Sequence, residues 1–226
     1  MTRCPYDICD GSGLIFDEER REASDCRCRP QVIAGIRARS LSAVIPEKYR
    51  DVGFERFPVT EIEPRIVAAT RRFCDRIDQN LDAGKGLWFM GPVGTGKTTL
   101  AMLVTQAALA AGRSAARYSL PGLLSQIRRT FDTGGHDDLF DRLAAVDLLH
   151  IDDIGAEQTT PWVLEELYSI INARYEERRS VVITTNILDR ETLCAQITER
   201  TVSRLTEMCD ELPLIGVDHR MDVGVA

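Results

Sequence analysis

Residues 90–99 read Met90-Gly91-Pro92-Val93-Gly94-Thr95-Gly96-Lys97-Thr98-Thr99, and this stretch decides the fold. It fits G-x-x-x-x-G-K-[ST], with Gly91, Gly96, Lys97 and Thr98 at the fixed positions. The run before it, Leu87-Trp88-Phe89-Met90, is apolar throughout and reads as a buried strand, so the unit is strand, loop, helix. Glycines let the loop curl so that successive N–H groups face one anion, and the start of the following helix adds partial positive charge. The segment from Gly91 and Pro92 through Gly94, Thr95 and Gly96 to Thr99 is therefore the candidate phosphate cradle. Lys97 is expected to reach the β- and γ-phosphates, and Thr98 to ligate Mg²⁺.

A phosphate loop serves kinases, GTPases, transporters and motors alike, so a second acidic motif has to discriminate. Leu148-Leu149-His150-Ile151-Asp152-Asp153 puts Asp152 at the end of an apolar strand, where it can hold Mg²⁺ through water. Asp153 beside it can orient or deprotonate an attacking water, and two adjacent acids suggest hydrolysis. The other reading is a plain turn with no chemistry. His150 reads as a packed core histidine. Asn186 ends the apolar run Val181-Val182-Ile183-Thr184-Thr185 and is placed to hold the lytic water, unless Thr-Thr-Asn is only turn chemistry.

Around these motifs strands alternate with helices. An amphipathic helix is expected from Pro64 to near Gly84, then helices at 98–111, 120–131, 139–145 and 162–178, and a helical stretch at 190–209. Strands are expected at 87–90, 115–118, 146–151, 180–184 and 212–217. Strands apolar on both faces describe a parallel sheet between helices, the α/β class.

The 226 residues carry net charge −7, so no global basic field draws the chain to nucleic acid. The first 50 residues hold nine Lys/Arg against eight Asp/Glu and are the less acidic part. No apolar run approaches the roughly 18 residues that span a bilayer, and Met1-Thr2-Arg3-Cys4 opens no signal sequence. A cytoplasmic protein with no membrane partner is expected.

Four of the seven cysteines fall in the first 28 residues, as C-x4-C-x16-C-x-C at Cys4, Cys9, Cys26 and Cys28. Clustered thiols in a cytosolic chain argue for tetrahedral Zn²⁺ before disulfides, with Gly11 and Gly13 allowing amides to turn toward sulfur. Free thiols or another soft metal are the alternatives. This knuckle and a basic helical linker, 31–42, make an N-terminal unit, 1–44, ahead of a nucleotide domain, 45–226. Tyr49, Phe54 and Phe57 at the junction either cover an adenine or pack the linker down.

Taken together, the phosphate loop, Leu148–Glu157, the helix at 162–179, Val181–Asn186, Ile197–Cys209 and Gly216–Arg220 resemble the DnaC/IstB group of AAA+ ATPases, from about Ile45 to Arg220. The resemblance implies an AAA+ module binding ATP, with sheet order 5-1-4-3-2 and a site completed by a neighbouring subunit. It implies Asp152 and Asp153 as Walker B, Asn186 as sensor 1, Arg204 as an arginine finger acting in trans with Arg200 its rival, and Arg220 as sensor 2. Walker B usually ends in Glu; Asp153 is shorter and implies slow turnover. With 22 residues after Arg204, no separate lid is expected.

Some helicase loaders of this group carry a similar cysteine knuckle. That favours a loader assembling as an open ring or spiral on single-stranded DNA, with Arg128 and Arg129 contacting the strand, and delivering a DnaB-type replicative helicase. The alternatives are a transposition helper working on duplex DNA, and a nucleotide-dependent binding module with negligible catalysis.

Overall fold

The structure is a computed structural model, describing residues 4–17, 21–30, 32–33, 45–133, 135–155, 160–216 and 218, without the side chains of 131–133 and 136. Arg220 and nearly all of the expected linker helix lie outside these residues.

Five strands form one all-parallel sheet: β3 (Gly86–Met90), β4 (Ala115–Ser119), β5 (Leu148–Ile154), β6 (Ser180–Thr185) and β7 (Cys209–Pro213). Their spatial order is β4-β5-β6-β3-β7, the expected 5-1-4-3-2 with β3 counted first. Both faces are covered, as the unbroken apolar runs require. Leu87, Phe89, Leu148 and Val182 point to a core shared with α1 (Pro64–Asp75), α2 (Ile77–Asp82) and α3 (Lys97–Ala110). Trp88, Met90, Leu149, Ile151, Val181 and Ile183 point to the opposite core. There they meet α4 (Leu120–Thr133), α5 (His136–Ala145), α6 (Pro161–Glu176), α7 (Arg190–Ile197) and α8 (Glu199–Met208).

Several boundaries differ from expectation: β5 covers 148–154 instead of 146–151, so that Asp152 and Asp153 fall within it, and α5 starts at His136 instead of Leu139. The first helix breaks at Arg76 into α1 and α2. The stretch read as one helix over 190–209 is two, because Thr198 adopts φ 72° and caps α8 by accepting the Thr201 amide at 3.4 Å. The last strand begins at Cys209 rather than Leu212, directly off α8, and its register sets Gly86 opposite Cys209 and Met90 opposite Pro213. Among the described residues no helix is long and apolar enough to cross a membrane.

The N-terminal segment carries a hairpin absent from the sequence reading. β1 (Leu14–Asp17) pairs antiparallel with β2 (Glu22–Asp25), returning Cys26 and Cys28 to Cys4 and Cys9.

At the end of the sheet away from the phosphate loop, Arg174 is wholly buried. Its guanidinium donates to the carbonyls of Leu143 (2.6 Å), Ala144 (3.4 Å), Asp147 (3.2 Å) and Ser180 (2.6 Å), tying α5, β5 and β6 together. Burial pulls its pKa down to about 9, so it stays charged at neutral pH. Arg174→Met would leave these four carbonyls unpaired at about 1 kcal/mol each, so a loss of about 4 kcal/mol is expected in chemical denaturation. An unchanged unfolding midpoint would contradict this role.

Candidate functional site

The phosphate loop leaves β3 at Gly91 and enters α3 at Lys97. Gly96, at the helix N-cap, has φ 92°, and a Cβ there would meet Ile62 Cδ1 at 2.3 Å, so the entry turn demands glycine. Thr95 is buried and donates to the Pro92 carbonyl at 2.9 Å, bracing the loop from within. The Lys97 ammonium donates to the carbonyls of Gly91 (2.7 Å) and Pro92 (2.6 Å), so it already lies along the loop's inner edge.

Asp152 sits inside β5, two residues before its end, with several partners. Oδ1 accepts from Thr98 (3.0 Å) and Thr184 (2.7 Å), and Oδ2 accepts from Arg117 Nη2 (2.9 Å). The two candidate Mg²⁺ ligands, Thr98 and Asp152, are thus joined directly, across 54 residues of sequence. His150 is fully buried; its Nδ1 shares a 3.0 Å hydrogen bond with Thr105 Oγ1, and Nε2 lies 3.9 Å from Asp152. Burial holds this imidazole below its ordinary pKa, so it is neutral at pH 7. Burial also opposes ionisation of Asp152, but the adjacent His150 ring and hydrogen bonds from Thr184 and Thr98 outweigh it and keep the carboxyl well below the usual range. With His150 neutral, the formal charge that balances Asp152 is that of Arg117.

Asp153 occupies an irregularity in the β5–β6 pairing between Ile151 and Ile154. Its φ is 61°, and its amide donates to Thr184 Oγ1 at 2.8 Å. A non-glycine residue held in the left-handed region beside a phosphate loop is the kind of strain found at functional sites. The bend brings Asp153 Oδ1 to 3.5 Å from Asn186 Nδ2, at the end of β6.

Asp153 and Asn186 share the lining of a cleft of about 470 Å³ with Val93, Gly94, Gly96, Lys97, Thr98 and Thr99 of the phosphate loop. Lys48, Tyr49, Val52, Phe57 and Pro58 complete the lining. Tyr49 and Phe57 therefore flank the cleft, while Phe54 packs with the core and under Arg71, 4.6 Å from its ring centre. A wider hollow of about 740 Å³ lies between the cysteine segment and α5, with Arg27, Arg29 and Arg179 and the acids Asp25, Asp141 and Glu177 in its lining, and it includes no part of the phosphate loop.

Arg200 and Arg204 line no part of the cleft. On α8, Arg200 stacks on Tyr168 (4.6 Å) and Arg204 on Tyr175 (4.2 Å), both tyrosines belonging to α6. Arg128 and Arg129 are exposed on α4, and Arg128 lies 4.6 Å over the ring of Trp162.

The sulfurs of Cys4, Cys9, Cys26 and Cys28 all lie within 4.8 Å of one another, with Cys4–Cys26 at 3.8 Å and Cys9–Cys28 at 3.4 Å. Zinc at about 2.3 Å from four thiolates needs sulfur separations of about 3.8 Å, so the set fits a tetrahedral ion. The Gly11 amide donates to Cys9 at 3.4 Å, as an outer shell for a metal thiolate does. The amide of Cys9 draws the Cys4 thiol down to about 6, whereas burial and the neighbouring sulfurs push Cys28 up. A cation at the centre removes that conflict.

Sequence reading missed Arg117. Its signal is register: β4 pairs with β5 so that Arg117 faces His150 and Ser119 faces Asp152, which sets a cation from the edge strand beside the acid.

A sequence profile described as IstB-like ATP binding protein matches residues 31–221. The replicative helicase loader DnaC of Buchnera aphidicola (subsp. Acyrthosiphon pisum) is 25% identical over 165 residues, 71% of this chain and 65% of that protein. DnaC of Escherichia coli K12 is 26% identical over 160 residues, 70% of this chain and 64% of its own length. The matched region thus spans just under two thirds of these curated relatives. Among solved structures, the crystal structure of the DnaC helicase loader aligns with TM-score 0.68 and 27% identity, covering 75% of this chain and 99% of that one. The replication initiator DnaA bound to AMPPCP and single-stranded DNA aligns with TM-score 0.64 at 18% identity, covering 74% of this chain and 51% of that one, and shares the AAA+ fold.

If Asp152 is the Mg²⁺ ligand, Arg117 competes with the metal for the same carboxylate, and Arg117→Met is then expected to lower the Mg²⁺ concentration that half-saturates ATP binding about 5-fold, a modest size set by the partly exposed guanidinium. Titration with a fluorescent ATP analogue reads this, and an unchanged or higher Mg²⁺ requirement counts against it.

Proposed function

The chain belongs to the IstB-like ATP-binding family, and from that premise we propose that it is a slow, assembly-stimulated ATPase that delivers a DnaB-type replicative helicase to single-stranded DNA. The observation that carries the ATPase part is the direct Thr98–Asp152 hydrogen bond, which joins phosphate loop and acidic strand at one point beside the cleft. The loader part is supported by similarity to the DnaC loaders over the ATPase region and by the cysteine cluster preceding it.

In this reading Lys97 exchanges its two carbonyl partners for the β- and γ-phosphates, a short swing because both lie on the cradle itself. Thr98 and Asp152 would hold Mg²⁺, which would supply positive charge against the phosphates. Asp153 takes the proton of the attacking water while Asn186 fixes that water's position, the two side chains already being within 3.5 Å. Arg204 of a neighbouring subunit supplies the missing positive charge, by analogy with other fingers worth about 10³-fold or more in rate. Arg220 reads the γ-phosphate from within the same subunit. Tyr49 and Phe57 cover the base. Cys4, Cys9, Cys26 and Cys28 hold Zn²⁺, and the unit 1–44 so organised grips the helicase. Arg128 and Arg129 contact single-stranded DNA, with Trp162 under Arg128 a stacking surface for a base.

A second reading, resting on the resemblance to the IstB branch whose name the matching profile carries, is a helper of DNA transposition that would assemble on duplex DNA. ATP turnover per subunit, measured against protein concentration with single-stranded and with duplex DNA, separates the two. The loader reading expects a rate that climbs with concentration and with single strands. Stimulation by duplex alone would select the transposition helper, and a flat, near-zero rate would leave a nucleotide-dependent binding module.

Cys26→Ser with Cys28→Ser is expected to release one equivalent of zinc and expose the first 30 residues to protease, with ATP affinity unchanged, since the cluster and the cleft share no lining residue. Metal analysis that finds no zinc in the wild-type protein would refute the assignment.

A further inference from the structure

An arginine that has to receive an anion from another molecule should be held firmly without being neutralised, and Arg204 is held in that way. Its Nε donates to Asn172 Oδ1 at 3.2 Å, and its guanidinium lies 4.2 Å from the ring centre of Tyr175. Among the described residues no carboxylate pairs with it; the Tyr175 phenol also reaches it, a neutral partner, so its two terminal nitrogens meet no opposite charge. These terminal nitrogens are the fork that grips phosphate oxygens.

The supports are themselves fixed. Asn172 donates through Nδ2 to Glu176 Oε1 at 2.9 Å, which turns Oδ1 toward Arg204. The Tyr168 hydroxyl, 3.4 Å from the same Oδ1, completes a row on α6. Tyr175 donates its phenol to Glu207 Oε2 at 2.7 Å, occupying the acid one turn beyond Arg204 on α8. Each acid near the finger therefore serves a support rather than the finger.

We infer that Asn172 and Tyr175 are positioning residues that hold Arg204 pre-aimed and un-neutralised for the phosphates of a neighbouring copy of this chain. The inference rests on the proposed trans role of Arg204. A stacked ring and a neutral amide fix the side chain before docking, so less conformational freedom is lost when it meets the phosphate. Asp in place of Asn172 would cancel the charge, and a non-aromatic residue at 175 would release the guanidinium.

The test uses mixed assemblies, with wild-type chain as the hydrolysing subunit and excess Lys97→Ala chain, which lacks its own working site, as finger donor. Donors carrying only Lys97→Ala are expected to stimulate wild-type turnover, and donors that add Tyr175→Phe together with Glu207→Gln, which keep the stacked ring and remove the acid that the lost phenol would release, to do so equally. Donors that add Tyr175→Leu or Asn172→Asp are expected to stimulate about 10-fold less, while still co-sedimenting with wild type in the presence of ATP. A purely structural role for the pair would instead lower folding midpoints and leave folded donors fully competent. Equal stimulation by the Tyr175→Leu and Asn172→Asp donors, with Arg204→Ala donors inert, overturns this inference alone. Full stimulation by Arg204→Ala donors, or none by any donor, overturns the trans reading and the inference with it.

Discussion

A carboxylate inside a protein stays charged only if hydrogen bonds and counter-charge replace the water it has lost. Asp152 meets that condition with a hydroxyl from α3, a hydroxyl from β6 and a guanidinium from β4. The groups that solve its desolvation also define the site. They tie the phosphate loop's helix to three strands of the sheet and set Thr98 beside the acid. Parallel strand order makes this possible: with β3 and β5 flanking β6, the ends of all three converge on the loop. The bend at Asp153 follows from the same constraint, because Thr184 bonds both the Asp152 carboxylate and the Asp153 amide.

Most of this was legible in the sequence, and the misses share a cause. The phosphate loop, the acidic strand and Asn186 announce themselves through short-range pattern, and two-sided apolar runs fix a parallel sheet without reference to anything distant. Arg117 escaped because nothing local distinguishes Ala115-Ala116-Arg117-Tyr118 from an ordinary edge strand; its role appears only once register sets it against β5. The break at Thr198 escaped because neither Gly nor Pro marks it, although the threonine cap preceding Thr201 was a readable signal. The β1–β2 hairpin escaped because its strands are four residues long, and Glu22–Asp25 shows no apolar alternation. Arg220 lies outside the described residues, so its place rests on the resemblance alone.

The cysteine cluster obeys the logic of Asp152 with the sign reversed. There a buried anion is balanced by the protein's own donors; here thiols gathered within 4.8 Å cannot all ionise together, and a divalent cation is the balancing charge that fits. Arg204 is a third variation, a cation stacked on an aromatic face with no carboxylate paired to it among the described residues. In the proposed trans role it would be complete only when a neighbour provides the anion. Each centre is thus defined by a charge the chain alone either balances or leaves for a ligand to balance.

The most direct test of this account is the Mg²⁺ dependence of ATP binding in the wild type and in Asp152→Asn, read by titration with a fluorescent ATP analogue at zero and saturating Mg²⁺. The account predicts that Mg²⁺ tightens binding to the wild type and has little effect on the variant, whose Mg²⁺-free affinity stays close to wild type. An Asp152→Asn protein that responds to Mg²⁺ as strongly as the wild type would show that the metal and the nucleotide meet somewhere other than the Thr98–Asp152 junction.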